Sequence, residues 1–273
     1  MPDSSVPSTC KFDIDTEIIS NMEVAQDHFL LYCNCPEIAS SAQPGQFVHV
    51  LMTDESGLLL RRPFTIYGIH GSQISMLYQV IGEGTAALAQ MGSGASIHVL
   101  GPLGKAFCIP SDIQAAILVG GGAGIASLML LASELRNSGV RTVGLVGATN
   151  GERLLSVSDL QQIDVETHIA TDDGSVGRHG FVTELLSDIL ERPQKNSLRS
   201  PTIYACGPHP MLRAVTEVTR LHHTPTQLAM ENRMGCALGV CLGCVCKVRT
   251  DDGVEYQRVC TEGPVFNAED IVW

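Results

Sequence analysis

From about Ile14 to Ile109 the chain runs in short apolar segments, FLLYCNC, PGQFVHVLM, RRPFTIYGIHG, QISMLYQVIGEG and ASIHVLGPLG, each cut off by glycine, proline or an Asp/Ser cluster. Segments so short and so punctuated predict an antiparallel sheet or barrel. From about Ala115 to Met230 the pattern changes, and the apolar runs AAILV, RTVGLVGA, VETHIATDD, PTIYACG and TQLAM alternate with ASLMLLASELRN, FVTELLSDIL and MLRAVTEVTRL. Strand-like runs alternating with amphipathic helices predict βαβ units around a parallel sheet. The stretch from about Glu231 to Trp273 is cysteine-rich and reads as loop. The pattern therefore predicts a multidomain β plus α/β chain: an antiparallel β-barrel over 1–110, a parallel-sheet α/β domain over 111–228 and a small C-terminal domain over 229–273. No internal repeat or low-complexity tract interrupts it.

Composition narrows the function classes. The 273 residues suffice for two domains and a small third. With 29 acidic against 17 basic residues, a net charge of -12 and no Lys/Arg run, phosphate-backbone recognition is not expected, so nucleic acid is no partner. Ile113 to Ser133 is a run of 21 uncharged residues, long enough to span a bilayer. It carries GGGAG in its middle, which reads as strand, turn and helix, so no membrane span is expected. The N-terminal MPDSSVPSTCKFDIDTEI lacks a basic segment followed by an apolar one, and a reducing, cytoplasmic setting is expected.

That setting bears on the thiols. CALGVCLGCVC places Cys236, Cys241, Cys244 and Cys246 within eleven residues, and Cys260 follows in QRVCTEGPVF. Without an oxidising compartment they are metal ligands or reactive thiols: a structural zinc site, an iron–sulfur cluster or a redox pair. Cys10, Cys33, Cys35 and Cys108 stand in apolar or strand-like surroundings and read as small buried hydrophobes. Cys206, in YACGPHPM at a strand end, would face the ligand crevice of a parallel sheet. The nine histidines show no metal-ligand spacing, and His222–His223 reads as a helix-end cap.

Two further motifs suit phosphates. AAILVGGGAGIASLMLL turns a strand directly into a helix, and Gly120, Gly121, Gly122 and Gly124 would let a pyrophosphate approach the helix N-terminus. The dinucleotide fingerprint is half met: Ser127 stands where its third glycine belongs, and RTVGLVGATNGERLL offers Arg153 but no ribose carboxylate, which leaves NAD and NADP both open. Asp172 and Asp173, at another strand end, are further candidates for a dinucleotide contact. In RRPFTIYG, strand alternation puts Arg62 and Phe64 on one face and Thr65 on the other, a cation for a diphosphate beside a hydroxyl for a ring nitrogen. GEGT at 82–85 is a second backbone cradle, opening the helix GTAALAQM.

Taken in order, RRPFTI, GEGT, the GGGAG turn, CGPHPM and the cysteine cluster resemble the ferredoxin reductase-like flavoproteins. More narrowly, PGQFVHVLM, ATDDGSVGRHGFVTELL, the C-x4-C-x2-C spacing and RVCTEGPVF are similar to the electron-transfer subunits of NAD-dependent, B-type dihydroorotate dehydrogenases, over Ile14–Trp273. The resemblance implies that Arg62, Pro63, Phe64 and Thr65 hold FAD, that Leu77, Tyr78 and Gln79 line the flavin, and that Gly84 and Thr85 take its phosphate. It implies NAD at the 120–124 turn, with Thr65 and Cys206 as the catalytic candidates where nicotinamide meets flavin. Cys236, Cys241, Cys244 and Cys260 would ligate a [2Fe–2S] cluster, leaving Cys246 as a surplus thiol. Ser127 departs from relatives that commonly carry proline there, a change a first helical turn tolerates. The implied partner is an FMN-containing catalytic subunit that oxidises dihydroorotate in pyrimidine biosynthesis, in a heterotetramer of two of each. Two rivals stand beside this: a reductase subunit of a hydrogenase, sulfide-reducing or ferredoxin-linked complex, and a zinc-stabilised nucleotide-binding module.

Overall fold

The computed structural model describes residues 10–52, 57, 59–191 and 198–273; the first nine residues of the N-terminal stretch read above lie outside these. Strands β1 (Phe12–Ala25), β2 (His28–Asn34), β3 (Phe47–Met52), β4 (Arg62–Thr65), β5 (Gly68–His70), β6 (Gln73–Gln79) and β7 (Ser96–Leu103) form an antiparallel sheet in the order β4-β3-β7-β1-β2-β6-β5. Its two edges, β4 and β5, are consecutive in sequence, so a short link can join them. Ile66 N–H donates to the Gln46 carbonyl at 3.2 Å and Tyr67 N–H to the Ser75 carbonyl at 2.8 Å, which curls the sheet into a barrel. Strand alternation sorts its faces. Val48 and Val50 of β3 point into a barrel core with Leu31, Ile74, Met76 and Ile97, whereas Phe47 on the other face joins the core of the next unit. Helices α1 (Pro36–Ser41) and α2 (Glu83–Gln90) connect strands of this sheet.

The second unit is built on β8 (Ala115–Gly121), β9 (Arg141–Ala148), β10 (Glu166–Thr171), β11 (Arg178–His179), β12 (Thr202–Cys206) and β13 (Thr226–Ala229), all parallel, in the order β11-β10-β9-β8-β12-β13. Helices α3 (Ala126–Asn137) and α4 (Val157–Gln162) cover one face of it, and α5 (Val182–Glu191) and α6 (His209–Leu221) the other. The alternation along β8 serves both layers: Ala116 and Leu118 pack with the α3 side, Ile117 and Val119 with the α5–α6 side. Strand order reverses between β8 and β12, and in open α/β sheets the ligand crevice lies at that reversal, beyond the carboxyl ends of the strands.

The structure corrects the loop-like reading of the C-terminal stretch. It holds a hairpin of β14 (Val245–Thr250) and β15 (Gly253–Arg258), and then β16 (Val265–Asn267), which pairs antiparallel with β13 and extends the parallel sheet to seven strands. The hairpin turns at Asp251–Asp252, with Thr250 and Gly253 as the first pair of its ladder. The pairing of β16 is non-local and leaves no trace in the local pattern. Ala237, Cys244, Val248, Cys260 and Ile271 share one core with Val143, Leu186 and Ile203, so this segment is packed into the second unit. The reading of the scattered cysteines is corrected in part: Cys33 and Cys35 are buried, with sulfurs 3.7 Å apart, but Cys10 and Cys108 are exposed. Cys108 sits on the connection between the two units, where its carbonyl accepts from the Gln227 side chain at 2.7 Å. Among the described residues no helix is long and apolar enough to cross a membrane.

Candidate functional site

Where the barrel meets the parallel sheet there is a cleft of about 810 Å³, a size suited to a cofactor. Arg62, Pro63, Phe64, Thr65, Leu77, Tyr78, Gln79 and Thr85 all lie on its wall. Phe64 is buried against Tyr78, with ring centroids 5.3 Å apart, while Arg62 stays half-buried over Gly84. A Cβ at position 84 would collide with the Arg62 guanidinium, so glycine here is what lets that cation settle on the first turn of α2. The hydroxyl of Thr85 is engaged within the turn itself, accepting from the N–H of Ile81 at 2.9 Å and of Gly82 at 3.2 Å. A phosphate at this end would therefore find Arg62 and the helix N-terminus rather than the Thr85 side chain.

The glycine turn after β8 sits at the strand-order reversal, beside the cleft, and contributes Ala123 to its wall. Its glycines have different duties. A Cβ on Gly124 would lie 2.6 Å from the Cys206 carbonyl and from the backbone of Gly207, so this glycine allows α3 to start against the end of β12. Gly120 is crowded by Ile125 and Gly121 by Met211, whereas Gly122 has a left-handed φ of +53° and open space where a side chain would stand. Gly122 is thus the member of the turn that faces solvent rather than protein. Because the Cys206–Gly207 backbone blocks position 124, Gly124→Ala is expected to lose about 1–3 kcal/mol of stability, read as a lowered midpoint in urea or thermal unfolding. The neighbouring strand-end loops are tied to each other: Gly151 N–H donates to Ser175 Oγ at 2.8 Å, and Asp173 accepts from Ser175 N–H at 2.9 Å. The Ser175 hydroxyl, donating to the same carboxylate at 2.6 Å, and then the Ser175 N–H hold the Asp173 carboxyl below its usual range. Asp172 and Arg153 are exposed nearby.

Of the two catalytic candidates Thr65 lines the cleft and Cys206 does not, and each is held by a residue that the sequence did not assign to the site. Thr65 Oγ1 and Ser127 Oγ are 2.9 Å apart, across the boundary between barrel and α3. Cys206 is fully buried, and its thiol donates to Glu231 Oε1 at 3.7 Å. Burial pushes that thiol well up, with the Glu231 charge adding to the effect, so Cys206 stays protonated at neutral pH. Glu231 is an exposed residue on the cleft wall, and partial desolvation by the surrounding protein raises its carboxyl. A serine read as a helix-entry residue and a glutamate at the start of a presumed loop carried no local signal of this role.

The cysteine loop is folded back on itself, with Ala237 at φ 54° and Leu242 at φ 56° in the left-handed region. That turn points backbone donors at sulfur: Leu238 N–H and Cys241 N–H each donate to Cys236 Sγ at 3.4 Å. These bonds, led by that of Leu238, bring the Cys236 thiol down to about 6. Arg258 fastens the Cys260 segment to the loop by donating to the Gly239 carbonyl at 3.1 Å, and its guanidinium pairs with Glu262. Of the four candidate ligands, Cys236 and Cys241 lie toward the surface and are joined by the Cys241 N–H bond to Cys236 Sγ, whereas Cys244 and Cys260 are buried in one core. Among the described residues no three His, Cys, Asp or Glu side chains converge on one metal-ion position. A tetrahedral zinc needs all four thiolates on a single ion, whereas a two-iron cluster takes two on each iron. Backbone N–H groups aimed at Cys236 Sγ suit a thiolate held as a ligand. Cys246 packs against the core from β14, and burial pushes its thiol up to about 11.

A family model described as the iron–sulfur cluster binding domain of dihydroorotate dehydrogenase B matches residues 231–272. The chain is 38% identical over 260 residues to the dihydroorotate dehydrogenase B (NAD(+)) electron transfer subunit of Geobacillus kaustophilus (strain HTA426), covering 93% of this chain and 96% of that one. To the same subunit of Shouchella clausii (strain KSM-K16) it is 37% identical over 259 residues, with the same coverage of 93% and 96%. Among solved structures, an NADH-dependent reduced ferredoxin–NADP oxidoreductase aligns with a TM-score of 0.78 at 27% identity, over 94% of this chain and 90% of that one. A ferredoxin NADP+ reductase from Neisseria gonorrhoeae with bound FAD and NADP shares the fold at a TM-score of 0.64 and 16% identity, over 77% of this chain and 91% of that one.

Proposed function

The chain belongs to the electron-transfer subunits of dihydroorotate dehydrogenase B, and we propose that its cysteine loop takes electrons from a catalytic subunit while its cleft delivers them in pairs to NAD. It is an oxidoreductase subunit whose redox groups are an iron–sulfur cluster, FAD and NAD. A flavin exchanges single electrons with a cluster and a hydride with nicotinamide, which makes it the converter between the two. In this reading Cys236, Cys241, Cys244 and Cys260 hold a [2Fe–2S] cluster. Arg62 and the start of α2 hold the FAD phosphates; Phe64, Leu77, Tyr78 and Gln79 wall the flavin; and Thr65 presents its hydroxyl to the reacting edge. The turn at 120–124 receives the dinucleotide at the strand-order reversal. Cys206 serves there as a neutral thiol rather than a nucleophile, because its burial disfavours the thiolate.

The partner is an FMN-containing catalytic subunit, where dihydroorotate is oxidised, and two copies of each chain form a heterotetramer in the cytoplasm. The rim of the cysteine loop supports a docking face: Leu238, Val240 and Leu242 are 45%, 80% and 60% exposed around the outer thiol pair.

The observation that carries this reading is a cysteine loop, matched over residues 231–272 to the iron–sulfur cluster binding domain of dihydroorotate dehydrogenase B, that shares its core with the dinucleotide sheet. Purified chain is expected to hold about one FAD and two irons, with a flavin band and a broad iron–sulfur shoulder in the visible spectrum. Mixed with the catalytic subunit, it should reduce NAD at the expense of dihydroorotate. Equimolar zinc without iron would make it the nucleotide-binding module instead, and turnover only with a hydrogenase, sulfide-reducing or ferredoxin-linked partner would move it to another redox complex.

A further inference from the structure

We propose that Ser127 is a positioning residue for the flavin reaction: its hydroxyl holds that of Thr65 and allows it to alternate between donating and accepting a hydrogen bond. This rests on the reading of the cleft as an FAD site. Ser127 is 4% exposed, it lies on the cleft wall, and its oxygen is 2.9 Å from that of Thr65. The bond is not a helix cap, since α3 starts after Ile125 and has no side-chain cap. It is instead a cross-link between the two units, made by residues 62 positions apart. The same hydroxyl lies near enough to the Cys206 thiol to favour its charged form.

A ring nitrogen at the reacting edge of a flavin accepts a hydrogen bond when oxidised and carries a hydrogen, hence donates, when reduced. A hydroxyl beside it must reverse its role on each turnover. Hydroxyls can do so, having one proton and two lone pairs. When Thr65 accepts from the reduced ring, however, its own proton needs an acceptor, and leaving a buried donor unpaired is costly. Ser127 supplies that acceptor and turns its own proton toward Cys206 Sγ. When the ring is oxidised, Ser127 donates to Thr65, which donates to the ring. Every donor is satisfied in both states, and no covalent bond changes within the pair.

Ser127→Ala removes one oxygen at a helical position where alanine is favoured, so folding and FAD content should match the wild type. The reduced flavin loses its matched partner, and its stability relative to the oxidised form is expected to fall about threefold to tenfold. At 29.6 mV per tenfold for a two-electron couple, this is a midpoint potential lower by about 15–30 mV. Hydride transfer from NADH to FAD in single turnover should slow by a similar factor, with KM for NADH unchanged. Ser127→Thr keeps the hydroxyl and should restore both values. In a Thr65→Val background Ser127→Ala should have no further effect, because it acts through Thr65. An FAD-loaded Ser127→Ala protein with wild-type potential and transfer rate overturns the inference alone, as does an additive double variant. A wild-type chain that binds no FAD overturns it together with the reading of the cleft.

Discussion

Cys244→Ser and Cys260→Ser are each expected to strip the chain of its iron–sulfur absorbance, lowering bound iron from about two per chain toward zero, while FAD and NADH oxidation by an artificial acceptor survive. Both thiols are 2% exposed and pack in the same core, and Val259 N–H donates to the Cys244 carbonyl at 3.0 Å, which holds the two segments in register. The metal-free pair is a neutral one at pH 7 as regards Cys260, whose thiol is pushed up to about 11 by burial and then by Cys244. Iron must displace that proton to bind, and a serine hydroxyl gives it up far less readily than a thiol. Removing even an outer-shell partner commonly costs 10–100-fold in metal affinity, so loss of a direct ligand is expected to exceed that. Cys246→Ser is the control. Its thiol lies two residues beyond Cys244, paired across the hairpin with Gln257, and the variant should keep full iron content. Iron that survives Cys260→Ser but is lost with Cys246→Ser would mean that the fourth ligand is misassigned.

What could be read from the sequence follows from how far apart the interacting residues are. Strands such as RTVGLVGA and helices such as ASLMLLASELRN coincide with β9 and α3 because each buries a face whose period lies within the segment itself. β1 has the mixed burial of a strand with one solvated face, and it went unnamed among the apolar segments because charged residues alternate along FDIDTEII. That RRPFTI would supply neighbouring wall residues of a cleft was legible because one strand carries Arg62 to Thr65. Ser127 and Glu231 were not, since each gains its meaning from a partner far away in sequence, Thr65 and Cys206 respectively. The glycine turn was legible as a turn but not in its division of duties. Only the packing of Cys206 and Gly207 against position 124 separates a glycine required by protein from one that leaves room beside it.

Arg62→Ala is expected to weaken FAD retention by roughly tenfold to more than a hundredfold, since a hydrogen bond to a charged group contributes about 1.5–3 kcal/mol and each 1.4 kcal/mol is a factor of ten. Arg62 sits on the cleft wall above Gly84, half-buried, its guanidinium anchored on the Leu60 carbonyl and facing the first turn of α2. Cation and helix N-terminus there act on the same phosphate, and desolvation in the cleft strengthens both. Arg62→Lys keeps the charge but not the planar two-pronged donor set, so it should recover part of the affinity. Gly84→Ala tests the same contact from below: its Cβ would meet only the mobile end of Arg62, so the fold should persist while the guanidinium is displaced and FAD is held less tightly. Flavin fluorescence released on dialysis, followed at low and high salt, measures all three. Undiminished retention in Arg62→Ala would show that FAD phosphates are held elsewhere in the cleft. Loss of retention in Gly84→Ala with an unchanged unfolding midpoint would locate them between Arg62 and α2.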